Sequence, residues 1–181
     1  MPRLFVAIDL PEYIQERLSS LCCGLPGARW IKAEQMHLTL RFIGDVDTNV
    51  FKDIQEALND VRSTPFTMQL EGVGFFPPRG KPRVVWVGIR KIEQLVQLRN
   101  RIEAVLVQAG LEPEGRKYSP HITLARLKNT PSSKVGVFLS HNGMFTTEEF
   151  QVNEFFLYSS VLNSKGAKHY IEAGYSLNER K

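Results

Sequence analysis

One tetrapeptide occurs twice in this chain, and it constrains the fold more than any other feature. His37-Leu38-Thr39-Leu40 recurs as His121-Ile122-Thr123-Leu124. Both copies lie in runs that read as strands, His37–Ile43 and Tyr118–Leu127. Strand side chains alternate between faces. His37 and Thr39 therefore share one face, and Leu38 and Leu40 the other. The same holds for His121 with Thr123, and for Ile122 with Leu124. If each aliphatic pair points into a core, the two His-Thr faces open on a common cleft. A chain of 181 residues suits one domain, or two small lobes sharing an interface.

The remaining pattern fits that frame. Arg3–Asp9 reads as a buried strand, and Pro11 then opens a helix whose stripe is Ile14, Leu18, Leu21, Cys22 and Leu25. Gly24, Pro26 and Gly27 end it. Ala28–Ile31 is a short strand. Thr48–Val61 and Ile92–Ala109 are amphipathic helices, the second capped by Gly110. Phe66–Phe75 and Arg83–Ile89 read as paired strands around the proline-rich loop between them. Pro131–Leu139 reads as a short helix and Phe145–Leu177 as three strands. Strand–helix units mixed with hairpins indicate an α+β fold, not a doubly wound sheet.

The repeat also carries a chemistry. Two imidazoles and two hydroxyls in one cleft suit a cyclic phosphodiester. One histidine can take a proton from water and the other can protonate the departing ribose oxygen. The Thr39 and Thr123 hydroxyls can donate to the non-bridging phosphate oxygens, where charge builds. A single His-x-Thr on a strand is ordinarily just a satisfied polar residue. Two full copies in a chain with four histidines are hard to ascribe to chance. Zinc is the competing use of two histidines, but no third ligand stands at useful spacing, so no metal and no cofactor is expected. Neither a Gly-x-Ser-x-Gly elbow nor a phosphate-binding glycine loop occurs.

Charge and cysteines set the surroundings. A net charge of +4 and a pI near 9.1 admit a polyanionic partner. Cys22 and Cys23 are adjacent, so they give no disulfide framework, and Cys22 belongs to a helix stripe. Reduced cysteines, the lack of a basic-then-apolar leader and the lack of a long apolar run lead to an expectation of a cytoplasmic chain without a membrane span.

Trp30-Ile31-Lys32, Glu34, the block from His37 to Gly44 and the block from Tyr118 to Arg126 resemble the two signature blocks of the two-histidine phosphoesterase superfamily. The nearest branch is the RNA 2′,3′-cyclic phosphodiesterases, also called 2′-5′ RNA ligases. The opening RLFVAIDLP, the segment PRVVWVGI and the chain length fit it too. The resemblance implies a bilobal phosphoesterase domain over residues 1–181, each lobe an antiparallel sheet backed by helices. It implies a metal-free reaction that leaves a 2′-phosphate, with slow 2′-5′ ligation as its reverse. His37 would be the proton donor and His121 the acceptor. Arg126 would join Thr39 and Thr123 in holding phosphate, although strict alternation from His121 sets it on the opposite face, so a bulge is required. Arg41, on the same face as His37 by alternation, is a candidate for RNA, as are Phe42 and Tyr118 with Trp30 for stacking on a base. For Phe42 a place in the core competes. Lys32, Arg79, Lys81 and Arg83 are candidates for the RNA backbone, and His141 and His169 read as surface residues. The expected partner is RNA with 2′,3′-cyclic phosphate ends, tRNA halves being one source, and the expected state is a monomer. Two rivals remain open: action on a small cyclic nucleotide such as ADP-ribose cyclic phosphate, and RNA-end binding without turnover.

Overall fold

The structure, a computed structural model, describes residues 2–178. Its elements run β1 (Arg3–Asp9), α1 (Glu12–Ser19), β2 (Ala28–Trp30), a 3₁₀ turn (Ala33–Gln35), β3 (His37–Asp45), α2 (Thr48–Leu58), β4 (Phe66–Met68), β5 (Leu70–Phe76), β6 (Val84–Ile89), α3 (Glu93–Gln108), β7 (His121–Leu127), α4 (Ser132–Asn142), β8 (Phe150–Val152), β9 (Glu154–Asn163) and β10 (Gly166–Ser176). Two four-stranded antiparallel sheets carry the architecture, ordered β10-β9-β1-β3 and β2-β7-β6-β5, with β4 and β8 as a separate pair. The two copies of the repeated tetrapeptide thus open β3 in the first sheet and β7 in the second, the α+β arrangement anticipated from the sequence.

Helices back the sheets on their aliphatic faces. Asp47 caps α2, accepting from the amides of Asn49 and Val50 at 3.0 Å each. The helix then packs on β10, where the Tyr175 hydroxyl donates to the Gln55 carbonyl at 3.2 Å. Trp30 of β2 packs against Phe138 of α4, with ring centroids 6.0 Å apart. Leu38, Leu40, Ile122 and Leu124 are all buried in one hydrophobic cluster, as the alternation requires.

Two expectations from sequence are revised. The run Phe66–Phe75 is two strands, not one. Gln69 breaks it, because the segment 146–152 competes for its backbone: Thr147 Oγ1 accepts from the Leu70 amide at 3.2 Å and Gln69 Nε2 donates to the Thr147 carbonyl at 2.7 Å. β4 then pairs with β8, not with β6. The first helix stops at Ser19, so Leu21 and Leu25 reach the core from the turns that follow.

Arg41 is buried, only 8% exposed, on the helix side of β3. Its Nε lies 2.6 Å from Glu103 of α3, its Nη1 3.3 Å from Glu114, and its Nη2 donates to the Glu112 carbonyl at 2.6 Å. An RNA-binding role for Arg41 is thereby corrected, since a guanidinium spent on two carboxylates and a carbonyl has nothing left for a phosphate. Removing one partner of a buried pair strands the other charge, at about 3–5 kcal/mol. Arg41→Met should therefore lower stability by that amount in urea denaturation with an unchanged m-value. A loss below about 1 kcal/mol would show that the pair is not structural.

Candidate active site

An extra residue at the same place in each motif strand sets the geometry of the site, and β3 has a second shift further on, at Ile43. In β3 the register runs Asp9↔His37, Ala7↔Thr39, Val6↔Arg41, Phe5↔Phe42, so Leu40 has no partner on β1. In β7 it runs Gly88↔His121, Trp86↔Thr123, Val85↔Ala125, Val84↔Arg126, so Leu124 has none on β6. Both are bulges at the same place in the repeat. A bulge reverses the alternation beyond it. Arg41 and Ala125 accordingly follow Leu40 and Leu124 into the buried side. Phe42 and Arg126 turn to the faces of His37 and His121 and are exposed. The bulge that Arg126 needs is present, and the same device explains why Arg41 is inside.

Aromatic rings support both histidines. His37 stacks on Phe5 with centroids 4.9 Å apart and planes inclined by 22°, and Phe5 stacks in turn on Tyr158 at 5.2 Å. His169 of β10 closes the group edge-on, 5.3 Å from His37 and 5.1 Å from Phe5. The Tyr158 hydroxyl donates to Asp9 at 2.5 Å. In the second sheet Phe76 meets the His121 ring edge-on at 4.8 Å, and Trp86 lies 6.2 Å away. The indole of Trp86 covers Gly74, where any Cβ would collide with it. His121 Nδ1 lies 2.7 Å from the Ser119 carbonyl. A carbonyl only accepts, so Nδ1 carries the hydrogen in this contact and Nε2 faces away from it as an acceptor. The strands themselves pass close together, and the Tyr118 hydroxyl joins them by donating to the Thr39 carbonyl at 3.1 Å.

Comparison with known families gives two matches to one model, described as LigT-like phosphoesterase, over residues 8–86 and 87–168. Each stretch contains one His-x-Thr copy. The chain belongs to the LigT-like phosphoesterase family. A relative from Archaeoglobus fulgidus, named RNA 2′,3′-cyclic phosphodiesterase, is 33% identical over 167 residues, covering 91% of this chain and 94% of that one. A protein of the same name from Thermotoga maritima is 34% identical over 170 residues, covering 91% and 89%. Among solved structures, Escherichia coli LigT complexed with 3′-AMP superposes with a TM-score of 0.80 at 27% identity, covering 99% of this chain and all of that one.

The register sorts the sequence candidates by face. His37, Thr39 and Phe42 share one cleft face, and His121, Thr123 and Arg126 the other. Phe42 is 52% exposed, so the competing core placement for it is overturned. Tyr118 is no stacking platform. It is part-buried, its ring faces the Arg99 guanidinium at 5.3 Å, and burial pushes its hydroxyl pKa well up. Trp30 lies on the helix side against Phe138. Lys32, Arg79, Lys81 and Arg83 are exposed, with Lys81 donating to Asn129 at 2.8 Å. His141 stays at the surface. His169, read as a surface residue, instead packs on His37. Sequence reasoning also missed Phe5, Phe76, Trp86 and Tyr158. The alternation of RLFVAID and of VVWVGI, read against the register of the neighbouring strand, is the signal that points Phe5 and Trp86 into the cleft. Among the described residues no group of three or more His, Cys, Asp or Glu side chains converges as a metal site.

Electrostatics separates the two histidines. Burial, followed by the neighbouring His169, lowers the His37 pKa to about 4, while a hydrogen bond with the Gln35 backbone opposes the shift. Burial lowers His169 as well, and raises Asp9 against the effect of its Tyr158 hydrogen bond. His37 is thus neutral in the free protein at pH 7. Its folded pKa lies below the unfolded value near 6.5, so its contribution to stability is present above that pH and is lost as pH falls toward 4. Proton NMR should find the His37 imidazole titrating near pH 4 in the free protein, and rising when inorganic phosphate binds. A midpoint above 6 without phosphate would refute this account of its environment.

Proposed function

We propose that the chain is an RNA 2′,3′-cyclic phosphodiesterase that acts without metal and leaves 2′-phosphate ends. The reading is carried by two His-Thr pairs, each followed by a bulge at the same place, on strands that approach each other. Family membership and the names of the relatives from Archaeoglobus fulgidus and Thermotoga maritima support the substrate class. The 3′-AMP held by Escherichia coli LigT supports a ribonucleotide in the cleft.

In this reaction water attacks phosphorus as the P–O3′ bond breaks. His121 Nε2 takes the proton of the water, and its Nδ1–H, held by Ser119, fixes the tautomer a base requires. His37 gives a proton to the departing O3′, which becomes a hydroxyl. A neutral His37 must first gain that proton, and the negative charge of the bound phosphate supplies the drive, since a nearby anion stabilises the imidazolium. Thr39, Thr123 and Arg126 would hold the non-bridging oxygens. Phe42 would meet the base. Attack by a ribose 5′-hydroxyl in place of water, with O3′ leaving as before, would form the 2′-5′ bond. No helix among the described residues is long and apolar enough to cross a membrane.

Incubation with a dinucleotide ending in a 2′,3′-cyclic phosphate should yield only the 2′-phosphate, and exhaustive EDTA treatment should leave the rate unchanged. Activity lost to EDTA and restored by zinc or magnesium would sink the two-histidine mechanism. Thr39→Val and Thr123→Val should each lower kcat about 10- to 1000-fold, as for the loss of an oxyanion donor. Unchanged rates in both would remove the hydroxyls from the reaction. The roles of the histidines are separable with a substrate whose leaving group needs no proton. His37→Ala should recover much of its rate on that substrate and His121→Ala should not. Rescue of His121→Ala instead would exchange the two roles.

A further inference from the structure

A second feature of the β7 face is unexplained by the acid–base chemistry. β2 pairs with β7 so that Arg29 stands directly opposite Arg126. Like charges in opposed positions of an antiparallel pair repel and destabilise the sheet. Both residues are exposed, and neither lies within ion-pair distance of a carboxylate among the described residues. Trp30 and Ala125, the next pair, are the ones turned to the helix side. Arg29 therefore lies on the same face as His121, Thr123 and Arg126.

The positive charge continues past the strand. The Lys128 amide donates to the Gly27 carbonyl at 3.1 Å, which extends the ladder by one more residue and sets Lys128 two positions beyond Arg126. Lys81, from the loop between β5 and β6, reaches Asn129 at 2.8 Å, so that loop with Arg79 borders the same end of the sheet. One face thus carries, in order along β7, an imidazole, a hydroxyl, an arginine and a lysine, with a second arginine alongside. A run of unpaired cations leading away from a phosphate site matches a linear polyanion with phosphates at regular intervals. A small cyclic nucleotide would leave Arg29 and Lys128 without a partner.

We propose that Arg29, with Lys128, Arg79 and Lys81, forms a track for the backbone of single-stranded RNA extending from a terminal cyclic phosphate held at Arg126. The substrate is then an oligoribonucleotide end, not a small cyclic nucleotide. This rests on the phosphodiesterase reading above and adds the direction in which the chain leaves the cleft.

The test compares 2′,3′-cyclic AMP with an oligoribonucleotide ending in a cyclic phosphate. Arg29→Ala and Lys128→Ala should each lower kcat/KM about 10-fold on the oligonucleotide through KM, and less than about 2-fold on cyclic AMP. The slope of log KM against log salt for the oligonucleotide should fall by about 0.7 for each cation removed. Arg29→Lys, which keeps the charge, should retain the wild-type slope. Equal losses on both substrates, or no loss on the oligonucleotide, would overturn the track. Anisotropy of a labelled oligoribonucleotide ending in an uncyclised 3′-phosphate reports the track without turnover. If the wild-type protein opens neither cyclic phosphate, the proposed activity fails. In that case a binding slope unmoved by Arg29→Ala would overturn the track as well, and a slope that falls would leave it standing.

Discussion

The site depends on an extra residue at the same place in each of two strands, Leu40 in β3 and Leu124 in β7. Without the bulges at Leu40 and Leu124, alternation would set Arg41 beside His37 and bury Phe42. It would equally set Ala125 beside His121 and send Arg126 into the core. Burying a guanidinium under β7 without a carboxylate partner would be costly. With the bulges, small Ala125 takes the buried place on one strand and carboxylate-paired Arg41 takes it on the other. The repeat is thus conserved in backbone geometry within the chain and diverges in the residue each bulge exposes. One strand exposes an aromatic ring, the other a cation.

The β3 bulge is held from behind by a closed circuit. Arg41 pairs with Glu103, and Glu103 lies 4.0 Å from Arg99. Arg99 faces the Tyr118 ring, and the Tyr118 hydroxyl returns to the Thr39 carbonyl, two residues before Arg41. Tyr118 also begins the segment that leads into His121. The groups that fix the first motif strand therefore also fix the approach to the second. Positioning of this kind is what acid–base chemistry across a phosphate needs, since both histidines must reach the same group at once. Arg41 and Tyr118 thus bear on the site through the strands they hold, without touching its contents.

Strand periodicity made the two His-Thr faces readable, because a period of two needs only the residues themselves. It also failed at a definite point. A bulge shifts the count by one and leaves no mark in HLTLRF or HITLAR, so Arg41 was assigned to the cleft by a rule that holds only up to Leu40. Register between distant strands was equally hidden. His169 lies in Lys168-His169-Tyr170, a stretch without motif, and it reaches His37 only because β10 pairs with β9, and β9 with β1. The break at Gln69 was unreadable for a related reason: its cause, Thr147, comes from the far end of the chain. Local pattern identified the chemistry, whereas packing decided which neighbours surround it.

The near-identity of the two motifs conceals unequal environments, and that inequality is where catalytic direction can arise. His37 sits among Phe5, Tyr158 and a second imidazole, which together disfavour its charge. His121 has one nitrogen fixed by a backbone carbonyl and its ring against Phe76. A pair with equal affinities for a proton would have no preferred acid. Burial disfavours a charged His37 and a nearby anion would favour it, so protonation of His37 and the binding of an anion beside it would be linked. The aromatic packing around His37 therefore keeps that imidazole neutral in the free protein, while the Ser119 carbonyl orients the ring of His121, and two near-identical motifs end in unlike surroundings.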